Sequence, residues 1–174
     1  MKKGAQRIFL CGFMGCGKTS VGQALAFRLH WDFLDTDTMI EHYYKKSIPQ
    51  IFAEEGEETF RKMEEETAKV LGKRKNVVIS TGGGFMTRPE TVNALQESSG
   101  GFDAIVFLDC NFDICYRRIR TSDRPLVKNN TKERLQEIFN QRRILYLKVA
   151  NAVVNNEGII SRTVEEILDR VIIL

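Results

Sequence analysis

The sequence predicts an α/β fold of three layers, α/β/α, with a parallel sheet between two layers of helices. Short and almost wholly apolar segments alternate along the chain with amphipathic segments of helical period. Strands that lack polar alternation are typical of parallel sheets, which are covered on both faces. The 174 residues, of which 43% are hydrophobic, are enough for one domain, residues 1–174, with its own core.

Five apolar segments are the predicted strands: 8–11, 33–34, 77–80, 104–108 and 152–154. Apolar residues at helical spacing predict a helix after the first strand, namely Val21, Ala24, Leu25 and Leu29. A second apolar face predicts the last helix: Val164, Ile167, Leu168, Val171 and Ile172. The sequence Thr163-Val-Glu-Glu166 predicts a capping box at the start of this last helix.

Between the first strand and its helix lies GFMGCGKT, residues 12–19. Gly12, Gly15 and Gly17 permit backbone conformations in which successive N–H groups converge on a phosphate chain. Lys18 is suited to the β- and γ-phosphates, and the Thr19 hydroxyl to Mg²⁺. The alternative is a plain glycine turn with a solvated lysine, but such a turn has no need of the Lys-Thr pair. The segment therefore predicts a site for a nucleoside triphosphate.

Further polar residues follow the other strands: Asp35 and Asp37, then Gly82 to Gly84, then Asp109. Ligands of such sheets bind at the carboxyl ends of the strands. If the chain stays extended, Asp35 and Asp37 face the same side, one towards the water shell of Mg²⁺ and the other towards a substrate hydroxyl. The alternative is that one of them caps the next helix. The glycines either form a bare turn or let a ligand rest on backbone N–H groups.

The arginines allow two interpretations. Arg61 lies in a highly charged helical segment, where the pattern favours a solvated face with ion pairs at i,i+4. The polar segment 123–132 is predicted to be a mobile loop. Four arginines lie before this segment or at its start, and two follow it: Arg117, Arg118, Arg120 and Arg124, then Arg142 and Arg143. Arginines beside such a lid are suited to stabilising a phosphoryl group in transfer.

Composition excludes several classes of function. A net charge of +3 is too small to indicate nucleic-acid binding, and no apolar run approaches the roughly 18 residues of a membrane span. The stretch after Met1-Lys2-Lys3 is too short and interrupted for a signal peptide. The four cysteines, 11, 16, 110 and 115, lack the spacing of a zinc site and are expected to be reduced thiols. These features predict a soluble cytoplasmic protein, which we expect to be a monomer.

Several motifs in order along nearly the whole chain resemble those of shikimate kinase. They are GFMGCGKT (12–19), FLDTD (33–37) with Ile40-Glu41, Phe60-Arg61, GGG (82–84), Arg124-Pro125-Leu126, and Arg142 three residues before Leu145-Tyr146. The resemblance implies a P-loop NTPase fold of the nucleoside monophosphate kinase type with a five-stranded parallel sheet. It also implies a substrate-binding subdomain near residues 35–62 and a lid near 123–132. The lid continues with Val127 where the family more often has leucine.

The resemblance also implies the role of each site residue. ATP would be bound by Gly12, Gly15, Cys16, Gly17, Lys18, Thr19, Ser20, Arg120 and Arg124, with Arg120 packed on the adenine. Mg²⁺ would lie near Thr19 and Asp35. Shikimate would be held by Asp37, Arg61, Gly82, Gly83, Gly84 and Arg142, with its carboxylate between the two arginines. Lys18, Asp37 and Arg124 would carry the catalysis.

The implied activity is transfer of phosphate from ATP to a hydroxyl of shikimate, giving shikimate 3-phosphate and ADP in aromatic amino acid biosynthesis. A related kinase of gluconate or of a nucleotide is the first alternative. A GTP-dependent switch is less favoured, because the chain contains neither Asp-x-x-Gly nor Asn-Lys-x-Asp.

Overall fold

The computed structural model describes residues 5–99 and 103–172. The charged start, Met1 to Lys3, lies outside them. Five strands form one sheet: β1 (Arg7–Cys11), β2 (Asp32–Asp35), β3 (Val77–Ser80), β4 (Asp103–Asp109) and β5 (Ala152–Asn155). Each predicted strand is present, with its ends shifted by no more than one residue.

The sheet is parallel throughout, in the order β2-β3-β1-β4-β5. β1 is central, and Leu10 near its end is level with Ser80 on one side and Val106 on the other. The carboxyl ends of the strands therefore lie along one edge of the sheet. The prediction of a five-stranded parallel sheet is confirmed.

Helices fill the connections between strands. Their bounds are α1 (Lys18–Leu29), α2 (Thr36–Tyr44), α3 (Ile48–Glu54), α4 (Gly56–Leu71), α5 (Pro89–Ser98), α6 (Phe112–Ile119), α7 (Pro125–Lys128), α8 (Lys132–Val149) and α9 (Ile160–Ile172). A 3₁₀ turn, Phe85–Thr87, follows β3. Among the described helices, none combines the length and apolar character that crossing a bilayer requires.

The alternation of side chains along β1 shows why both faces of the sheet are covered. Ile8 and Leu10 pack in a cluster with apolar residues of α1 and α9. Phe9 and Cys11 point the other way and pack in a cluster with residues of α4 and α5. All four side chains are buried. The predicted three-layer α/β/α arrangement is confirmed.

A third, smaller apolar cluster lies beside the sheet. It joins α2, α3 and the first half of α4 through Ile40, Ile51, Phe60 and Met63. Ser47 begins α3 with a capping box, in which its side chain accepts from the Gln50 N–H. The helices of residues 35–62 thus share a core of their own.

Two local predictions are wrong. α9 begins at Ile160, so Thr163 is not its N-cap, and the Thr163 hydroxyl instead donates to the Asn156 side chain. The segment 123–132 is not a loop throughout, because it contains α7, with Pro125 in its first turn. Of the apolar face predicted for the last helix, Val164, Ile167 and Val171 are buried, whereas the side chain of Ile172 lies outside the described part of the chain.

A buried arginine ties together the amino-terminal end of the sheet. Arg7, only 2% exposed, forms an ion pair with Asp103. It also donates to the carbonyl of Arg74 at 2.7 Å and to the hydroxyl of Ser99 at 2.6 Å. Asp103 is itself only 13% exposed and also accepts from the Ser99 hydroxyl at 2.8 Å, so Arg7 is the charged partner of a largely buried carboxylate.

We expect Arg7→Met to lower the free energy of unfolding by about 3–5 kcal/mol, because it leaves the Asp103 carboxylate buried and unpaired. Urea unfolding at neutral pH measures this effect. The matched control is Arg28→Met, since Arg28 and Glu165 pair at 3.6 Å and are both more than half exposed. The control should cost less than about 1 kcal/mol. Equal losses in the two variants would contradict a special role for Arg7.

Candidate active site

The glycine-rich loop between β1 and α1 depends on backbone conformations that favour glycine. Gly12, Gly15 and Gly17 have φ values of 146°, 80° and 98°. Neighbouring backbone is also close: a Cβ on Gly12 would lie 2.8 Å from the Leu108 carbonyl oxygen. A Cβ on Gly15 would lie 2.7 Å from that of Cys115. The loop is therefore packed tightly against β4 and α6, and other residue types at these positions would displace it.

Lys18 is the first residue of α1, and its side chain is nearly buried. Its Nζ donates to the carbonyls of Gly12 at 2.8 Å and Phe13 at 3.0 Å, so the ammonium group lies across the loop. The Cys16 thiol is also buried, 3.8 Å from the lysine Nζ. All four cysteines are buried and free of disulfides, and burial raises the pKa of Cys11 to about 12.

Two adjoining cavities open at the carboxyl edge of the sheet. The larger has a volume of about 1080 Å³ and lies between α2, α3, α4 and the segment around α7. The smaller, of about 360 Å³, lies over the glycine-rich loop and includes Lys18, Ser20 and Asn156. Thr19, Asp35, Asp37 and Arg124 line both cavities. These four residues therefore stand at the boundary where the contents of the two cavities would meet.

Asp35 has two roles because its carboxylate oxygens face different partners. It ends β2 and caps α2, with Oδ1 accepting from the N–H groups of Asp37 at 3.0 Å and Thr38 at 3.2 Å. Its Oδ2 lies 3.5 Å from the Thr19 hydroxyl. The helix-cap alternative is thus correct for Asp35. Its second oxygen, Oδ2, remains beside Thr19, which lines both cavities with it.

Asp37 lies in the first turn of α2, so the condition of extended backbone through both aspartates is not met. The helical turn nevertheless brings Asp37 to the cavity boundary. Its Oδ1 is buried and accepts no hydrogen bond from any described residue. Burial raises the pKa of Asp37, and the charge of Asp35 raises it further, while Arg124 and Lys18 act in the opposite direction.

Each of the three glycines after β3 leaves room for one charged side chain. A Cβ on Gly82 would collide with Oδ1 of Asp37, and one on Gly84 would lie 2.5 Å from Nη1 of Arg61. A Cβ on Gly83 would lie 3.2 Å from Nη1 of Arg142. The Gly82 N–H already donates to the Thr36 hydroxyl at 2.8 Å, so it is not free for a ligand. The glycines therefore act mainly by admitting side chains, rather than as a bare turn.

Arg61 does not lie on a solvated face. Its side chain is 12% exposed and pairs with Glu57 and Glu64, each at 2.7 Å. Glu64 is only 1% exposed, and its burial raises its pKa, while the charge of Arg61 acts against that rise. The i,i+4 pair with Glu57 was predicted by the pattern, but the guanidinium also lines the larger cavity.

The consecutive arginines of α8 face different sites. Arg142 lines the larger cavity, and one turn later the buried Tyr146 hydroxyl donates to the Gly83 carbonyl. Burial raises the pKa of Tyr146, which keeps the donor protonated. Arg143 instead holds Asp109 through two hydrogen bonds of 3.1 and 2.6 Å. Asp109 therefore ends a strand as expected but serves as an ion-pair partner outside the two cavities.

The arginines near the lid also differ in whether they line a cavity. Arg124 is exposed at the start of α7 and lines both cavities. Arg118 lines the smaller cavity and donates to the Gly15 carbonyl at 2.9 Å. Arg120 ends α6 and is not among the described residues that line either cavity. Its predicted contact with adenine stays a prediction.

Comparison with known proteins identifies the family. The family model described as shikimate kinase matches residues 14–172. The chain belongs to the shikimate kinase family. A shikimate kinase of Thermodesulfovibrio yellowstonii is 38% identical over 170 residues, which cover 96% of this chain and 93% of that protein. The shikimate kinase of Aquifex aeolicus is 39% identical over 163 residues, covering 93% and 94% respectively.

Solved structures of this family have the same fold. The shikimate kinase of Acinetobacter baumannii in complex with shikimate is 34% identical, with a TM-score of 0.86 over 95% of this chain and 92% of that one. The Aquifex aeolicus enzyme gives a TM-score of 0.80 over 94% and 95%. A gluconokinase of Sinorhizobium meliloti, 18% identical with a TM-score of 0.63, shares the fold alone.

Two residues that line the cavities, Glu64 and Asn156, were not candidates from the sequence, and Arg118 was a candidate only as one of a cluster of arginines. Asn156 follows β5, so the rule that was applied to the ends of the other strands would have found it. Glu64 had a weaker signal, its spacing of three residues from Arg61 on a helix. Arg118 had no signal that distinguished it from the neighbouring arginines.

We expect Asp37→Asn to increase the free energy of unfolding at pH 7. Folding raises the pKa of Asp37, so the folded state favours the protonated side chain. The stability that this form contributes is complete below the unfolded pKa and is lost as pH rises through the folded pKa. Ionised Asp37 therefore destabilises the protein at pH 7, and the amide removes that cost. Urea unfolding at pH 7 and below about pH 4 measures it, with the difference disappearing at the lower pH.

The control for this experiment is Asp169→Asn, which changes an exposed carboxylate on α9. We expect its stability to stay within about 0.5 kcal/mol of the wild type at both pH values. An Asp37→Asn variant that is less stable than the wild type at pH 7 would contradict the interpretation.

Proposed function

We propose that the protein transfers the γ-phosphate of ATP to a hydroxyl of shikimate, giving shikimate 3-phosphate and ADP in aromatic amino acid biosynthesis. Membership of the family supports the activity, and the Acinetobacter baumannii relative in complex with shikimate supports the substrate. The single observation that carries the proposal is the buried Oδ1 of Asp37, for which residues 5–99 and 103–172 supply no hydrogen-bond donor at the boundary of the two cavities. A substrate hydroxyl placed there would lie beside the glycine-rich loop.

ATP occupies the smaller cavity in this proposal, with its phosphates on the glycine-rich loop. Lys18 and the loop N–H groups of Gly12, Gly15 and Gly17 bind the phosphates, and α1 directs its N-terminus, including Thr19 and Ser20, towards them. Cys16 lies in the same loop with its thiol buried, and its N–H binds a phosphate only if it releases the Phe13 carbonyl, to which it donates at 3.2 Å. Arg118 and Ile160 line the same cavity and favour the adenine ring beside them. Arg120 is the further candidate from the sequence for packing on the adenine.

The residues present also fit Mg²⁺. This ion keeps several waters and usually takes one or two protein oxygens together with substrate phosphates. The Thr19 hydroxyl and Oδ2 of Asp35, which lie 3.5 Å apart at the cavity boundary, are such oxygens. When bound, Mg²⁺ neutralises charge on the phosphates.

Shikimate occupies the larger cavity in this proposal. Arg61 and Arg142 bind its carboxylate, because a guanidinium can form two parallel hydrogen bonds with such a group. Gly82, Gly83 and Gly84 set the positions of Asp37 and these two arginines. The helices of residues 35–62 form the wall opposite the sheet and act as the substrate-binding subdomain.

The remaining catalytic work is positioning and charge stabilisation. Asp37 accepts a hydrogen bond from the attacking hydroxyl, and its raised pKa suits it to hold that proton as the new bond forms. Lys18 stabilises the phosphates from the loop, and Arg124 does so from the lid, residues 123–132. Closure of this lid would exclude water and limit hydrolysis of ATP.

We propose, as the sequence predicts, that the chain works as a monomer, and gel filtration of the purified protein tests this. A cytoplasmic location is supported by the four cysteines, which are all free thiols.

The first experiment compares possible substrates. A coupled assay of ADP release should give rapid turnover with shikimate and little above background with gluconate or AMP. The distant likeness to the gluconokinase concerns the fold alone and gives no reason to expect gluconate turnover. Preferred turnover of gluconate or AMP would overturn the proposed substrate.

We also expect Arg61→Lys and Arg142→Lys to weaken shikimate binding by roughly ten- to a hundredfold, because the charge is kept while the paired hydrogen bonds are lost. Titration calorimetry measures this, and the affinity for ATP alone should hardly change. Arg143→Lys is the matched control, since Arg143 contacts Asp109 outside the cavities. Unchanged shikimate binding in both cavity variants would contradict the proposed carboxylate site.

A further inference from the structure

The connection between β5 and α9 places one buried amide at the smaller cavity. Asn156 is 6% exposed, and its backbone N–H donates to the Asp109 carbonyl at 2.8 Å. Its side-chain Nδ2 donates to the Cys16 carbonyl at 2.6 Å, which joins two positions 140 residues apart in the sequence. The amide therefore connects the last strand directly to the glycine-rich loop.

The direction of this amide is fixed from its other end. The Thr163 hydroxyl donates to Oδ1 of Asn156 at 2.9 Å, and Thr163 is 3% exposed. Because Oδ1 receives this proton, the NH₂ group has to face the loop. The first turn of α9 thus orients the amide that contacts Cys16.

The contact with Cys16 also orients the peptide that follows it. A trans peptide is planar, so its carbonyl and N–H point in opposite directions. With the Cys16 carbonyl bound to Asn156, the Gly17 N–H points away from Asn156. None of the described residues accepts a hydrogen bond from that N–H. Gly17 itself lines the smaller cavity.

The two residues also fit each other sterically. A Cβ on Gly17 would lie 2.7 Å from Nδ2 of Asn156. The Asn156 amide can therefore approach the glycine-rich loop this closely only because position 17 carries no side chain.

We propose that Asn156, held by Thr163, is a positioning residue that fixes the Cys16–Gly17 peptide so that the Gly17 N–H is directed at the phosphates of ATP. This rests on the proposed function in one respect, the location of ATP in the smaller cavity. Asn156 itself does not touch the reacting groups, since both ends of its side-chain amide are bound within the protein.

The test uses the full chain with three substitutions. Asn156→Asp keeps the shape of the side chain but cannot donate to the Cys16 carbonyl. Thr163→Val removes the hydroxyl that orients the amide without adding charge, and Thr163→Ser keeps that hydroxyl. The matched control is Asn155→Asp, which makes the same chemical change at the exposed neighbouring residue.

We expect Asn156→Asp to raise KM for ATP by about tenfold or more and Thr163→Val to raise it by roughly threefold, with Thr163→Ser close to the wild type. The dissociation constant for shikimate should change by less than about twofold in every variant. In ¹⁵N–¹H spectra, the shift of the Gly17 amide on adding ADP should be lost in Asn156→Asp. If Asn156→Asp does not fold, the comparison of Thr163→Val with Thr163→Ser decides.

Unchanged KM for ATP in Asn156→Asp and Thr163→Val would overturn the proposal. Equal weakening of ATP and shikimate, with a lower Tm, would also overturn it, because it would show a general structural role. Failure of the wild type to phosphorylate shikimate would count against the proposed function instead, and the Gly17 amide shift would still report on Asn156.

Discussion

Parallel pairing of the strands is the constraint on which the site depends. Because all five strands run in one direction and lie in register, their carboxyl ends meet along one edge. Residues far apart in the sequence, such as Asp35, Gly82 and Asn156, are thereby brought to the same cavity over the glycine-rich loop. The loops at this edge carry the polar groups, while the strands and the two layers of helices supply the apolar burial that holds them in place.

The site contains charged groups that are largely buried, and neighbouring charges offset part of the cost of burying them. Asp37 and Glu64 are carboxylates whose pKa values are raised by burial, and Arg61 pairs with Glu64. The glycines after β3 let charged side chains approach the backbone because they carry no side chain of their own. In this part of the molecule the positions of the charged side chains therefore depend on the backbone of the three glycines.

Much of this could be predicted from the sequence, for identifiable physical reasons. Apolar runs and a glycine-lysine motif are local signals, so the sheet and the position of the glycine-rich loop between β1 and α1 were predictable. Thr163 shows the limit, because its hydroxyl could bind its own helix or Asn156, and only the tertiary contact decides. Arg142 and Arg143 are adjacent and alike in type, yet helical rotation sends one to the cavity and the other to Asp109.

The separate cluster formed by Ile40, Ile51, Phe60 and Met63 has a mechanical consequence. Helix α4 belongs to two cores, because its first half packs in this cluster while Ala68 and Leu71 pack against the sheet. Arg61 lies between Phe60 and Met63, in the half that belongs to the small cluster. Because α4 is one continuous helix, the sheet holds its second half and thereby restrains its first half. The small cluster is thus tied to the sheet through α4, and the position of Arg61 relative to Arg142 on α8 depends on that one helix.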